Sequence, residues 1–454
     1  MAVRPPGGNY SALNPAGALL LTAICACGGD PRGASETAPA AESFVFPAEF
    51  EPHRALWMAW PTYENKRGLP TEPLLIEIIR ATEGRVAIEL LAQDDAEADR
   101  LRERFRQQEV PDGHVTIHAV PHGDIWMRDM GPIFLRGDRG GLRVVDFGFN
   151  MWGYESPDSP NSRLEEAVDR HVADLLGLEF VKSALISEGG SREFNGQGVM
   201  LAVEAVELQR NPGWTLEAME EEFRRTLGVS KVIWLAEGMA EDELTFRGRL
   251  PGGVYTVITT GGHVDEFARF ADPETILLAE VTEEERRTDP IAAISHERLE
   301  ESFRRLSAAT DQDGNPFRIV RVPTPGSLFE TMRAGDGVFD YIQPLEYEDG
   351  SSIAPDDEIT VVAAASYLNF QVTNGLVLAQ KYWKPGMPET LREKDERALA
   401  ILREVFPGRE VLPLDAMAVN LGGGGVHCIL QQEPERVGAP ASGRHRPSSS
   451  GGGP

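Results

Sequence analysis

Cysteine is almost absent from this chain of 454 residues: Cys25, Cys27 and Cys428 are the only three. A disulfide framework is thereby excluded for the body of the chain, where Cys428 is the single thiol. Positive charge is also short, with 44 Lys and Arg against 72 Asp and Glu and a formal net charge of −28. Phosphate backbones need a basic face, so nucleic acid is excluded as a partner. A cationic substrate fits the balance, and so does a merely well-solvated surface. Beyond the N-terminal leader no run of eighteen apolar residues occurs, so no internal membrane span is read. There is no HExxH, no paired-Cys spacing, no Gly-Lys-Ser/Thr after a glycine run and no dinucleotide fingerprint. His114, His118 and His122 are spaced by four, but the β-branched residues and Pro121 between them argue against the helix that would align them. A metal hydrolase is thus a rival with little in its favour.

What is present divides the chain into three parts. Residues 1–42 combine a short apolar run, Ala16–Cys27, with a tether poor in bulky apolar residues. The run is too short to span a bilayer and resembles the h-region of a signal peptide. Ile24-Cys25-Ala26-Cys27-Gly28 resembles a bacterial lipobox, which would make Cys27 a lipidation site and a lipid anchor the only tie to a membrane. The expectation is an exported, periplasmic or membrane-anchored protein; if the leader is instead a disordered extension, the protein is cytoplasmic. Residues 433–454, rich in Pro, Ser and Gly, read as a disordered tail. Between them, residues 43–432 alternate short apolar runs with helical patterns, an α/β arrangement. Strands are predicted at 55–60, 86–91, 115–120, 144–149, 199–203, 232–235, 275–278, 319–322, 359–364 and 375–379. Helices are predicted at 74–82, 95–107, 163–176, 216–227, 296–308 and 388–405, where apolar residues recur at three and four. Two stretches, 242–258 and 334–357, read as loop-like insertions, either lids or idle surface.

The chemistry lies in a few glycine-rich islands. Cys428 follows the run Gly422–Gly425. A lone Cys is as often buried core as nucleophile, but a plain buried strand has no use for four glycines. Asp129 in Trp126-Met-Arg-Asp129-Met-Gly-Pro precedes a turn signal and is expected at a strand end. Glu188-Gly-Gly puts a second carboxylate on a turn. His263-Val-Asp265 spaces two groups so that both face one side if extended. Each alone reads as a solvated turn. Together, one thiol, one imidazole and several carboxylates suit a planar cation, because a guanidinium can be forked by two carboxylates while sulfur attacks its carbon. A non-catalytic module for cationic ligands remains a reading of another class.

The islands resemble the agmatine deiminase family, in the guanidino-group-modifying superfamily that also holds arginine deiminase and the protein-arginine deiminases. The resemblance rests on Trp57-Met-Ala-Trp-Pro61, Trp126–Pro132, Phe147-Gly-Phe-Asn-Met-Trp-Gly153, Glu188-Gly-Gly-Ser191, Gly262-His-Val-Asp-Glu-Phe267, Tyr367-Leu-Asn-Phe370 and Gly423-Gly-Gly-Val-His-Cys-Ile-Leu-Gln-Gln432. It implies a pentein-type α/β propeller, five ββαβ-like units in pseudo-fivefold symmetry around a central active site, with 43–432 as one catalytic domain. It implies agmatine and water going to N-carbamoylputrescine and ammonia, a step of putrescine biosynthesis, with no metal and no cofactor. Peptidyl-arginine at a cell surface is the alternative substrate. Cys428 would be the nucleophile and His263 the acid–base. Asp129 and Asp265 would bind the guanidinium, Glu188 would orient His263 or the substrate, and Trp126 would cover the substrate's chain. The chain departs from the family pattern at Gly425, where Asn is common, and at Arg192-Glu193-Phe194-Asn195-Gly196, where Ile-His-Val-Asp-Gly is common.

Overall fold

The computed structural model describes residues 42–436, so the leader, Cys27 and the residues after 436 lie outside it. Within this span one unit occurs five times: two antiparallel strands, a helical crossover, and a third strand parallel to the second. Ile133–Gly137 pairs antiparallel with Leu142–Gly148, which runs parallel to Glu179–Ile186 across the helix Pro160–Leu176. Arg192–Phe194, Val199–Val203 and Lys231–Leu235 repeat the pattern with the helix Leu216–Leu227. Ala268–Asp272, Thr275–Glu280 and Arg318–Pro323 follow with Pro290–Ala308. Gln371–Thr373, Leu376–Gln380 and Glu410–Leu414 follow with Glu389–Val405. The remaining unit draws on both ends of the body. Gln431–Pro434 pairs antiparallel with His53–Ala59, which runs parallel to Ala87–Ala92 across the helix Glu72–Thr82. These are the five ββαβ units of the pentein fold.

The middle strands explain the layering. Val199–Val203 and Leu376–Gln380 are buried at every position, as strands covered on both faces must be, and so they read as unbroken apolar runs. The helices announce themselves at their ends. Pro160–Leu176 starts at Ser159, whose hydroxyl accepts the Ser162 N–H, and stops at Gly177 with φ of +63°. Leu216–Leu227 turns Met219, Phe223, Thr226 and Leu227 inward, one stripe of a helix.

All ten predicted strands and all six predicted helices occur, within a few residues at their ends. Three expectations are corrected. The tail does not begin at 433: Glu433 lies inside the closing strand, 2% exposed, bonded to Arg54 and accepting the Trp57 indole N–H at 3.1 Å. That pairing reaches some 380 residues back along the chain, which local composition does not register. The stretch 334–357 is not idle loop, since it holds the helix Gly337–Ile342 and buries Val338, Phe339, Ile342 and Tyr347. Nor is 242–258: its short 3-10 turns bury Asp242, Leu244 and Thr245.

Candidate active site

The loop that enters the first strand of each unit carries one part of the site. Asp129 stands before Ile133–Gly137, Glu188 before Arg192–Phe194, and His263, Asp265 and Glu266 before Ala268–Asp272. Asn369 stands before Gln371–Thr373, and Cys428 before Gln431–Pro434. Five equivalent loops thus bring residues 129 to 428 to one place. Asp129 is on a single helical turn, Met127–Met130, and not at a strand end as expected. His263 and Asp265 converge through the 3-10 turn Val264–Glu266, not through an extended segment.

Cys428 is buried, and its Sγ lies 3.7 Å from Asp265 Oδ2, 3.9 Å from Glu266 Oε1 and 3.1 Å from Asn369 Nδ2. His263 faces Asp129 at 3.8 Å through Nδ1 and bonds Glu188 Oε2 at 3.3 Å through Nε2. Glu188 is itself fixed by a wholly buried pair with Arg210 at 2.7 Å. Asp129 accepts the Gly190 N–H at 2.9 Å and the Trp152 indole N–H at 2.8 Å. Asp265 accepts from His427 Nδ1 at 2.7 Å, and His427 Nε2 bonds Glu49 at 2.6 Å. Behind His263, Asp242 accepts the backbone N–H groups of Thr260, Gly262 and His263 at 2.8, 3.0 and 2.9 Å. Asp242, at the head of the 242–258 insertion, therefore braces the backbone that carries His263.

Two glycines make room. A Cβ on Gly190 would stand 2.7 Å from His263 Nδ1 and 3.1 Å from both Asp129 Oδ1 and Asp265 Oδ2. Gly423 has φ of +122° and passes so close to the Ile258 carbonyl that a Cβ would meet it at 1.7 Å. The glycine run is thus needed to bring Cys428 to its place.

Burial raises the Cys428 thiol well above its ordinary pKa, and the charges of Asp265, Glu266 and Asp129 raise it further. Burial opposes a charged His263, but Asp129, Glu188 and Asp265 outweigh it and lift the imidazole to about 9. Glu188, despite burial, is held down at about 2 by Arg210 and His263. Burial raises Asp129, against the pull of His263. Asp265 is lowered, because the hydrogen bond and charge of His427 overcome its burial. Glu266 is pushed well up by burial and by Asp265. At neutral pH the resting site therefore holds a thiol, an imidazolium and at least one carboxylate ready for a cation. His263 Nδ1 and Asp265 Oδ1 are buried with no hydrogen-bond partner among the described residues.

All five residues expected to act, Cys428, His263, Asp129, Asp265 and Glu188, meet here. Trp126 borders the same space: a Cβ on Gly424 would lie 2.8 Å from the Trp126 ring and 2.9 Å from Cys428 Sγ. Glu266, Asn369, Trp152 and His427 were given no role from sequence, although each lies within a motif quoted above. The departures sit behind the reacting groups. Glu193 pairs with buried Arg269 at 3.1 Å, and a Cβ on Gly425 would lie 2.5 Å from Asn369 Oδ1. Asp265, Glu266 and Cys428 present ligand atoms within 4.8 Å of one another and could hold a metal ion. The histidine trio does not converge: His114 bonds Thr82, His118 bonds Glu89, and His122 bonds Val120 and Trp60.

Residues 45–434 match the Porphyromonas-type peptidyl-arginine deiminase family. An agmatine deiminase of Pseudomonas aeruginosa is 30% identical over 403 residues, 87% of this chain and 97% of that protein. One of Medicago truncatula is 29% identical over 88% of this chain and 98% of its own. Among solved structures, the agmatine deiminase of Enterococcus faecalis superposes with a TM-score of 0.68 at 26% identity, covering 87% of this chain and 96% of that one.

Proposed function

The chain belongs to the Porphyromonas-type peptidyl-arginine deiminase family, and from that premise we propose that it hydrolyses the guanidinium of agmatine to N-carbamoylputrescine and ammonia. The observation that carries the chemistry is the convergence of Asp129, Asp265 and His263 around Gly190, with the buried Cys428 sulfur 3.7 Å from Asp265 Oδ2. Two carboxylates there can fork the guanidinium nitrogens. The bound cation favours the thiolate that the empty site disfavours, and the thiol proton is released to solvent as the substrate binds. Sulfur attacks the guanidinium carbon, and a C–N bond breaks as His263 gives its proton to the departing nitrogen, which leaves as ammonia. The S-alkylthiouronium that remains is attacked by water, whose proton passes to the now neutral His263. The C–S bond then breaks, the ureido oxygen comes from water, and the second proton of that water returns the departing thiolate to the resting thiol. Glu188, clamped by Arg210, keeps the imidazole aimed through both steps.

The approach to the site supports a small amine as the rest of the substrate. A cavity of about 270 Å³ lies over it, lined by Tyr63, Asp124, Trp126, Trp152, Glu165 and Tyr341 among others. Burial and the nearby Asp124 push Glu165 up to about 8, and burial pushes Asp124 up to about 6. At neutral pH Glu165 is then largely protonated beside a mostly ionised Asp124, and an ammonium is welcomed because it favours the charged form of both, whereas an α-carboxylate opposes it. The test is turnover of agmatine in ¹⁸O-water. One ¹⁸O in the ureido group of N-carbamoylputrescine supports the reading. Absence of any ureido product under conditions where the protein is folded contradicts it.

A further inference from the structure

Four of the five strand-entry loops deliver groups with an evident task; the fifth delivers Asn369. The residue is fully buried, in the loop between the strands Glu358–Val362 and Gln371–Thr373. Its orientation is set from behind. Asn369 Oδ1 accepts the backbone N–H of His427, the residue before the nucleophile, at 2.9 Å, and its carbonyl accepts from Gln380 Nε2 at 3.1 Å. With the oxygen so engaged, Nδ2 must face the site. There it meets Glu266 Oε1 at 2.9 Å, Cys428 Sγ at 3.1 Å and Asp265 Oδ2 at 3.2 Å. An amide nitrogen has two N–H groups, and three acceptors surround it.

We propose that Asn369 is the positioning residue of the nucleophile, its amide donating to Cys428 Sγ when the sulfur ionises and to the flanking carboxylates when it does not. This rests on the reading of Cys428 as nucleophile. The other groups facing the sulfur from the packed loops are the backbone of Gly425, whose hydrogen bond favours the thiolate, and the acids Asp129, Asp265 and Glu266, with His263 and His427 paired to them. A thiolate has to form among these carboxylates, and Asn369 is the neutral side-chain donor the loops supply. A hydrogen bond to a charged acceptor is roughly twice as strong as one to a neutral acceptor, so the amide favours the ionised form. The same contact fixes where the sulfur points, since the loop carrying Asn369 and the backbone before Cys428 are bonded into one piece.

The test is the pH dependence of Cys428 alkylation by iodoacetamide, read by mass spectrometry, in wild type, Asn369→Ala, Asn369→Asp and Asn369→Ser. Asn369→Asp keeps the acceptor for the His427 N–H and removes the donor. The expected result is a midpoint about one pH unit higher in the Ala and Asp variants, with Ser between. kcat for agmatine should fall about 100-fold, as for loss of a preorganised donor, with KM little changed. A role in stability alone would lower the melting temperature and leave the alkylation midpoint in place, which would overturn the proposal. Should none of the variants fold, the Nδ2 proton shifts of Asn369 in ¹⁵N-asparagine-labelled wild type decide the matter. They must move with thiol ionisation and stay still in Cys428→Ser. Failure of the nucleophile reading itself is a separate result: Cys428→Ala would retain turnover.

Discussion

Gly190 carries a hydrogen where any other side chain would stand among His263, Asp129 and Asp265. Gly190→Ala is expected to lower kcat/KM for agmatine by at least about 100-fold while leaving the melting temperature within a few degrees, because the added methyl would stand 2.7 Å from His263 Nδ1 and displace the imidazole. The imidazole makes a second test at this scale. Against burial, Asp129, Glu188 and Asp265 lift His263 to about 9, and in the proposed mechanism the leaving ammonia takes its proton from the charged form. At saturating agmatine, where the thiolate has already formed, kcat should therefore decline at alkaline pH as the imidazolium is lost. Glu188→Gln removes a negative charge 3.3 Å from the ring, so His263 is less readily protonated and this decline should move to lower pH. An alkaline limb unmoved by the substitution would separate His263 from the proton transfer. Among single residues, sequence motifs exposed the five groups that meet at the site because each stands within three residues of a glycine. They did not assign Asn369 or Glu266, whose importance comes from contacts to residues 59 and 162 positions away along the chain.

Elements with strong periodicity or an unbroken apolar run were legible, and those with neither were not. Leu216–Leu227 occurs at its predicted position because its apolar residues repeat at the helical period, and Val199–Val203 because five apolar residues in a row mark a strand buried on both faces. Short strands such as Arg192–Phe194 and Gln371–Thr373, three residues each, are too brief to show a period. Sequence leaves the stretch 242–258 open between a lid and idle surface, because its burial comes in part from polar groups. Asp242 gathers the N–H groups of Thr260, Gly262 and His263, and the Thr260 hydroxyl at 2.6 Å. Asp242→Ala leaves these buried donors unsatisfied and is expected to cost about 3 kcal/mol of stability in denaturant unfolding, with loss of turnover at temperatures where the protein is still folded. A variant with unchanged unfolding and full activity would show that the segment is the idle loop its composition suggests.

On the scale of the whole molecule, the five-fold repetition of strand, strand, helix, strand was not visible as a sequence repeat. The units share a hydrogen-bonding pattern and not residues, and the unit holding Cys428 is completed only when the two ends of the body pair. Glu433 is the fastening, held by Arg54 and by the Trp57 indole. Glu433→Ala leaves the buried Trp57 N–H without its partner and is expected to lower stability by about 1–3 kcal/mol. Because the closing strand begins three residues after Cys428, activity should fall at temperatures below the global transition. Coincident loss of activity and fold would mean the closing strand does not tune the site.

The most direct test of the central claim is ammonia release by the purified 43–454 protein. Agmatine, free arginine and an arginine-containing peptide are each compared with and without Cys428→Ala. The account predicts turnover of agmatine well above the other two, abolished by the substitution. Turnover of the peptide with agmatine inert, or turnover that survives Cys428→Ala, would contradict it.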